Sequence, residues 1–301
     1  MYNRPVPEPT AQPSRGRAES RETIALRALR EEHPELSDAV DLHVALLELQ
    51  RRVQPRIPLP WLELNRDKML AHQTKAQPLL RFEEIPLDLT DLRLMVRQTA
   101  DVLHRFGALE EAEHAHIQLL GRDASLLTVA GNWYRRAAER RAGVAAGAGS
   151  LTVDIASEPG MLDQVLTLAM KPFLGRCAEV LQPSEDLSLW THPHCPLCGG
   201  EPDLAVITPA AERHLICGRC ALRWKFEPLT CPYCLNDDRA QITSFATPDG
   251  RYRVYACDAC RRYLKAYDAR KTSRPVMPVV DMVATLPLDA AAIQRGYTSE
   301  R

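Results

Sequence analysis

Residues 195–260 read CPLCGGEPDLAVITPAAERHLICGRCALRWKFEPLTCPYCLNDDRAQITSFATPDGRYRVYACDAC, and this stretch governs how the rest of the chain is read. It holds four Cys-x-x-Cys pairs, Cys195/Cys198, Cys217/Cys220, Cys231/Cys234 and Cys257/Cys260, and so eight of the nine cysteines of the protein. Two residues between cysteines let the backbone curl into a knuckle whose sulfurs face one point, and two knuckles supply the four thiolates of a tetrahedral site. Four knuckles make two closed four-cysteine sites with no sulfur left over. The first two read C-x2-C-x18-C-x2-C, which is zinc-ribbon spacing, and the last two read C-x2-C-x22-C-x2-C. Disulfides suit short secreted chains, and a redox Cys-x-x-Cys occurs singly between a strand and a helix. Four pairs in a row point to metal. Soft sulfur ligands in a tetrahedron take zinc or iron alike, so the residues leave the ion open.

Two hairpins lie between the knuckles. Leu204–Thr208 and Arg213–Ile216 flank Pro209-Ala210-Ala211-Glu212, and Gln241–Phe245 and Tyr252–Ala256 flank Thr247-Pro248-Asp249-Gly250. Each module is then knuckle, hairpin, knuckle, which leads us to expect that knuckles adjacent in sequence share an ion. A unit this small has little core and needs its metal to fold. His192 and His194 flank the first knuckle; with four cysteines per site, they are expected beside the ligands rather than among them.

Upstream the pattern is helical. Leu36, Val40, Val44 and Leu47 share one face, and Leu42, Leu46, Leu49 and Val53 an adjacent one. Leu92, Met95, Val96, Thr99, Leu103 and Phe106 form another stripe, with Thr90 placed to start the helix and Gly107 to end it. A further helix begins at Met161 and carries Pro172 and the ninth cysteine, Cys177, read as a buried apolar residue. The small-residue run 142–150 reads as a loop inside the helical part. The histidines at 33, 43, 72, 104, 114 and 116 are scattered and read as solvated or hydrogen-bonded. A short helix, Leu288–Gln294, is expected near the C-terminus.

The fold class expected is therefore α+β: an N-terminal all-helical domain followed by two tandem zinc-ribbon, rubredoxin-like four-cysteine modules. The boundaries read as a disordered, proline-bearing tail at 1–19, a helical domain at 20–185, the double ribbon at 186–283, and a C-terminal helix and tail at 284–301. The amphipathic stripes lead us to expect that the helical part keeps its structure when metal is stripped.

Composition narrows the function. A net charge of -1 argues against a nucleic-acid partner bound through overall basicity. Arg213, Arg219, Arg223, Lys225, Arg251, Arg253, Arg261, Arg262 and Lys265, with Tyr233, Tyr252, Tyr255 and Tyr263, read as compensation for the charge of two metal–thiolate centres. No apolar run approaches the ~18 residues of a membrane span. The N-terminus has no apolar signal core, so the cytoplasm is expected, where thiols stay reduced. There is no phosphate loop, nucleophile elbow or HExxH, and no enzyme is expected.

The motif run HCPLCGGEP (194–202), ICGRCALRWKF (216–226), CPYC (231–234) and CDACRRYLKAYD (257–268), with the tail VVDMVATLPLDAAAIQRGY (279–297), resembles the formate dehydrogenase accessory protein family, FdhE. The resemblance implies a cytoplasmic assembly factor that binds the catalytic subunit of formate dehydrogenase. It also implies two iron ions, zinc being the other candidate, held by Cys195, Cys198, Cys217 and Cys220 and by Cys231, Cys234, Cys257 and Cys260. Two other readings stand beside it: a rubredoxin-like electron carrier and a zinc-ribbon nucleic-acid-binding protein.

Overall fold

The computed structural model describes residues 19–61, 65–145, 160–181, 185–272 and 274–299. The tail expected at 1–19 lies outside them except for its last residue, as does most of the small-residue run 142–150.

Seven helices come first among the described residues: α1 (Arg21–Glu32), α2 (Ser37–Val53), α3 (Arg66–Lys75), α4 (Leu89–Arg105), α5 (Glu111–Leu120), α6 (Leu126–Ala145) and α7 (Met161–Leu181). Local chemistry sets their ends. The Ser20 hydroxyl accepts from the Thr23 N–H to open α1, and the Asn65 amide oxygen accepts from the Lys68 N–H to open α3. Helix α4 starts at Asp88 and not at Thr90: the Asp88 carboxylate takes the N–H groups of both Thr90 and Asp91. A carboxylate in the extended residue before the helix meets two free donors, whereas Thr90 already lies inside the first turn. Gly107 ends α4 at φ +70°, a left-handed conformation that costs glycine little.

The two faces read on α2 meet two different partners. Leu49 and Val53 enter the main core with Met95 of α4 and Phe173 of α7, while Leu36 and Val40 pack with Leu26 of α1 and with Val280 and Val283 near the C-terminus. Helix α7 runs through Pro172, and Cys177 on it is fully buried.

Six strands follow: β1 (Pro202–Ile207), β2 (Arg213–Cys217), β3 (Arg223–Lys225), β4 (Ile242–Ala246), β5 (Tyr252–Cys257) and β6 (Tyr263–Asp268). Each expected hairpin is present, β1 against β2 and β4 against β5. Each ribbon gains a third strand after its second knuckle, β3 beside β2 and β6 beside β5. The ribbons do not stand apart. Strand β6 pairs in parallel with β1, from Leu204↔Lys265 to Ile207↔Asp268, so both ribbons form one sheet of order β3-β2-β1-β6-β5-β4.

This join places β1 and β6 in the middle of the sheet, covered on both faces, as paired interior strands require. Ala205, Ile207, Leu264 and Ala266 point into the main core with the helices. Their neighbours Leu204, Val206 and Tyr267 point the other way, under α8 (Pro278–Ala284) and α9 (Leu286–Gln294). Helix α9 covers the expected helix at Leu288–Gln294, and α8 is an additional one before it. Helix α7 ends at Leu181 and β1 begins at Pro202, and the buried core spans both sides: one cluster runs from Leu49 to Ala266 and includes Cys195, Cys198, Cys217, Cys220, Cys231 and Cys257.

Candidate metal centres

Each of the four knuckles adopts the same backbone whatever its sequence. The N–H four residues after the first cysteine donates back to that cysteine's carbonyl: Gly199 to Cys195, Ala221 to Cys217, Leu235 to Cys231 and Arg261 to Cys257, at 2.8–3.0 Å. The first cysteine's own N–H donates forward to the carbonyl five residues on, at Gly200, Leu222, Asn236 and Arg262. This closed turn needs a left-handed residue after the second cysteine. Gly199 (φ 70°), Ala221 (58°), Leu235 (63°) and Arg261 (58°) all adopt it.

Three of those four residues bear a side chain that disfavours this conformation by about 1–2 kcal/mol. Leu235 is 53% exposed and loses little if shortened. Leu235→Gly is therefore expected to stabilise the protein by about 0.5–1 kcal/mol, read by denaturant titration with metal fixed. Arg261→Gly is expected to do the opposite. That guanidinium lies 4.2 Å from the Tyr297 ring, and it donates to Asp258 and to the carbonyls of Arg295 and Gly296. Equal effects from the two substitutions would refute the strain argument.

The structure brings the eight cysteines together as two sets, Cys195, Cys198, Cys217 and Cys220, and Cys231, Cys234, Cys257 and Cys260, with the sulfurs of each set within 4.8 Å of one another. Knuckles adjacent in sequence thus share a set, as the enclosed hairpins led us to expect. In the first set Cys195–Cys220 and Cys198–Cys217 are 3.5 Å apart and Cys198–Cys220 3.6 Å; in the second, Cys231–Cys260 and Cys234–Cys257 are 3.7 Å apart. A tetrahedron with metal–sulfur bonds of about 2.3 Å has an edge of about 3.8 Å. Both sets fit one tetrahedrally bound ion of the zinc or iron kind. Each set consists of sulfur alone, so the bound ion would have no open protein-free position.

Protons compete for these sulfurs. In the first set burial pushes the Cys195 and Cys220 thiols well up. Close contacts with the Cys195, Cys217 and Cys220 sulfurs outweigh burial at Cys198 and hold that thiol well down. In the second set burial raises Cys231 and lifts Cys260 to about 11. Burial also works against ionisation of Cys257, but the N–H of Cys260 and the Cys234 thiol outweigh it and hold that thiol down. An ion must displace the protons, so its hold weakens as pH falls. Burial pushes Cys177 to about 12, and as a lone core thiol it belongs to neither set.

The surroundings of the two sets differ. The first lies between the sheet and the helices. The N–H groups of Leu79 and Leu80 donate to the carbonyls of Pro196 and Leu197, the two residues inside the first knuckle, at 2.8 and 3.0 Å. A carbonyl oxygen only accepts, so the His192 Nε2 donates to that of Gln73, 2.7 Å away, and the His194 Nε2 to that of Ala76, 3.1 Å away. Neither histidine is within either sulfur set. Trp133, Trp190 and Trp224 are all buried around this region, with the Arg219 guanidinium 4.0 Å from the Trp133 ring. All four sulfur-bearing residues are buried, at 2% exposure or less. In the second set Cys234 and Cys260 are only half-buried.

This difference predicts an order of release. A chelator is expected to remove the second ion first, in a fast phase that is missing from a Cys231→Ser/Cys234→Ser variant, followed by a slow phase from the first set. Release in one phase, or a fast phase that survives in the variant, would contradict it.

The basic and aromatic residues of the ribbons divide: Lys225, Arg251 and Arg261 are exposed, while others are buried or half-buried and paired inside the protein. Buried Arg213 donates to the carbonyls of Glu227 and Thr230, Arg262 lies 3.6 Å from the Tyr233 ring and pairs with Glu201 at 2.8 Å, and Arg253 pairs with Asp268 at 3.1 Å. Tyr233, Tyr252 and Tyr263 are buried and donate to the Pro202 carbonyl, Asp281 and Asp289. These three rings are engaged inside the protein.

No protein-family model and no curated protein matches this chain. Among solved structures, the FdhE protein from Pseudomonas aeruginosa matches it with a TM-score of 0.59 at 19% identity, over 92% of each chain. The chain has the FdhE fold. The match covers helices and ribbons together, so the joined sheet and its helical cover belong to one architecture. On this fold the chain carries two complete sets of four cysteines. No helix among the described residues is long and apolar enough to cross a membrane.

Proposed function

We propose that this protein is a cytoplasmic accessory factor for the maturation of formate dehydrogenase, that it binds the catalytic subunit of that enzyme, and that it carries out no turnover of its own. The observation that carries the reading is the FdhE fold over 92% of the chain, joined to the cysteine motifs and the YLK segment that resemble the FdhE family. All eight knuckle cysteines act as ligands, and the two ions are iron. Closed all-sulfur sets suit a structural or one-electron role and leave no place for a substrate on the metal. The test is formate oxidation in cells lacking this protein, together with capture of the catalytic subunit on the tagged chain. Loss of activity and co-purification of that subunit are expected. Full formate oxidation in the deletion strain would refute the assignment.

The half-buried Cys234 and Cys260 favour a second reading, in which the second set passes electrons at its exposed edge. On that reading the iron-loaded protein bleaches reversibly on reduction and supports electron transfer to an acceptor at the rate of turnover. A centre that cannot be reduced excludes it.

A further inference from the structure

We infer that Arg213, a residue of the first ribbon, is the counter-charge of the ion at the second sulfur set and strengthens that set's hold on it. The inference rests on the reading of Cys231, Cys234, Cys257 and Cys260 as the ligands of one ion.

Arg213 opens β2, opposite Ile207 of β1, in the ribbon that carries the first set. Its side chain nevertheless serves the second. It lines a small cavity together with Cys231, Cys257, Tyr255 and Leu264. Its Nη2 donates to the carbonyl of Thr230, the residue before Cys231. The Cys231 sulfur is among the groups whose charge acts on the guanidinium.

Arg213 is 2% exposed, yet no carboxylate among the described residues forms an ion pair with it. Its remaining contacts are the Glu227 carbonyl and the Phe226 ring, whose centroid is 5.3 Å from the guanidinium carbon. The Glu227 side chain itself is exposed and acts only through its charge. The Nε of Arg213 is buried with no hydrogen-bond partner. Other buried cations of the ribbons are answered directly, Arg262 by Glu201 and Lys265 by Asp289. A buried charge is costly unless an opposite charge faces it.

Four thiolates around a divalent ion leave a centre with net negative charge. That centre is the anion Arg213 lacks. Filling the set supplies the guanidinium with its counter-charge, and the guanidinium favours the filled set over the empty, protonated one. Arg262 lines the same cavity, but Glu201 already offsets its charge, so the larger part falls to Arg213.

The test withdraws Zn2+ from the fully loaded, full-length chain by competition with a chelator of known affinity. The second-set step is the one missing from Cys231→Ser/Cys234→Ser. Arg213→Met, close in length and uncharged, is expected to weaken that step about 10- to 100-fold and to leave the first-set step unchanged. Arg213→Lys keeps the charge and is expected to keep most of the affinity. The iron-loaded chain gives a readout that packing alone does not move. Losing the cation disfavours the more negative, reduced centre, so Arg213→Met is expected to lower its reduction potential and Arg213→Lys to hold it near the parent's. A Met variant with parental affinity and potential overturns the proposal, as does a Lys variant that loses as much affinity as the Met variant. A parent that holds no ion at the second set overturns the ligand reading beneath it as well.

Discussion

Replacing Cys195 and Cys198 together by serine is expected to lower the metal content from two ions to one and to unfold the first ribbon. Two of four ligands are lost from a set that is buried throughout. Structural ions held this way contribute on the order of 10 kcal/mol to small folded units, comparable with the whole stability of a domain. The turns of this set also contain a left-handed residue with a side chain, Ala221, which favours opening once the ion is gone. The loss will not stay local. The first knuckle is bonded through Pro196 and Leu197 to Leu79 and Leu80, and the core around it contains Trp133, Trp190 and Trp224. Tryptophan emission is therefore expected to shift to the red, while the far-ultraviolet helix signal persists from the stripes on α2, α4 and α7. Collapse of the helix signal with the metal would show that helices and ribbons fold as one unit. Retention of two ions and native emission would refute the ligand assignment. In cells, the proposed role predicts that the partner enzyme is made but inactive.

Asp289→Ala is expected to destabilise the protein by about 3–5 kcal/mol without touching either sulfur set. The Lys265 ammonium is 3% exposed and lies 2.6 Å from Asp289, with only a long contact to the Met282 carbonyl besides. The other Asp289 oxygen accepts from the Tyr263 hydroxyl at 2.7 Å. Removing the carboxylate takes away the close counter-ion of a buried cation in the central strand β6, leaving only the Asp203 charge to act on it, and takes away the bond from the Tyr263 hydroxyl that links α9 to the sheet. Burial already depresses the Lys265 ammonium's tendency to stay charged, and the nearby Asp289 opposes that. Lys265→Met in the same chain should restore most of the stability, because an apolar pair replaces the ion pair. Denaturant titration of the parent and the two variants checks this. A single variant as stable as the parent, or a double variant no better than the single, would show that the pair is not what anchors α9.

The sequence by itself determined what depends on near neighbours. A knuckle is two residues between cysteines and a hairpin is a turn between alternating strands, so both the eight sulfurs and their grouping into two sets could be read from spacing. The helix stripes were legible for the same reason, since residues three and four apart share a face. The glycine at 107 was legible because a single residue meets the need for a left-handed turn. The tertiary structure decided what depends on distant pairing. Strand β6 joins β1 across some sixty residues of chain, from Leu204↔Lys265 onward, and no local pattern encodes that register. That join, together with the cover of helices on one face and α8 and α9 on the other, is what buries the first sulfur set and leaves the second half-open. It also explains why Lys265 and Tyr263, polar in the sequence, lie inside: they are the central strand's links to α9. His104 and His114 looked scattered because they are ten residues apart on separate helices, and only the turn at Gly107 sets their rings face to face.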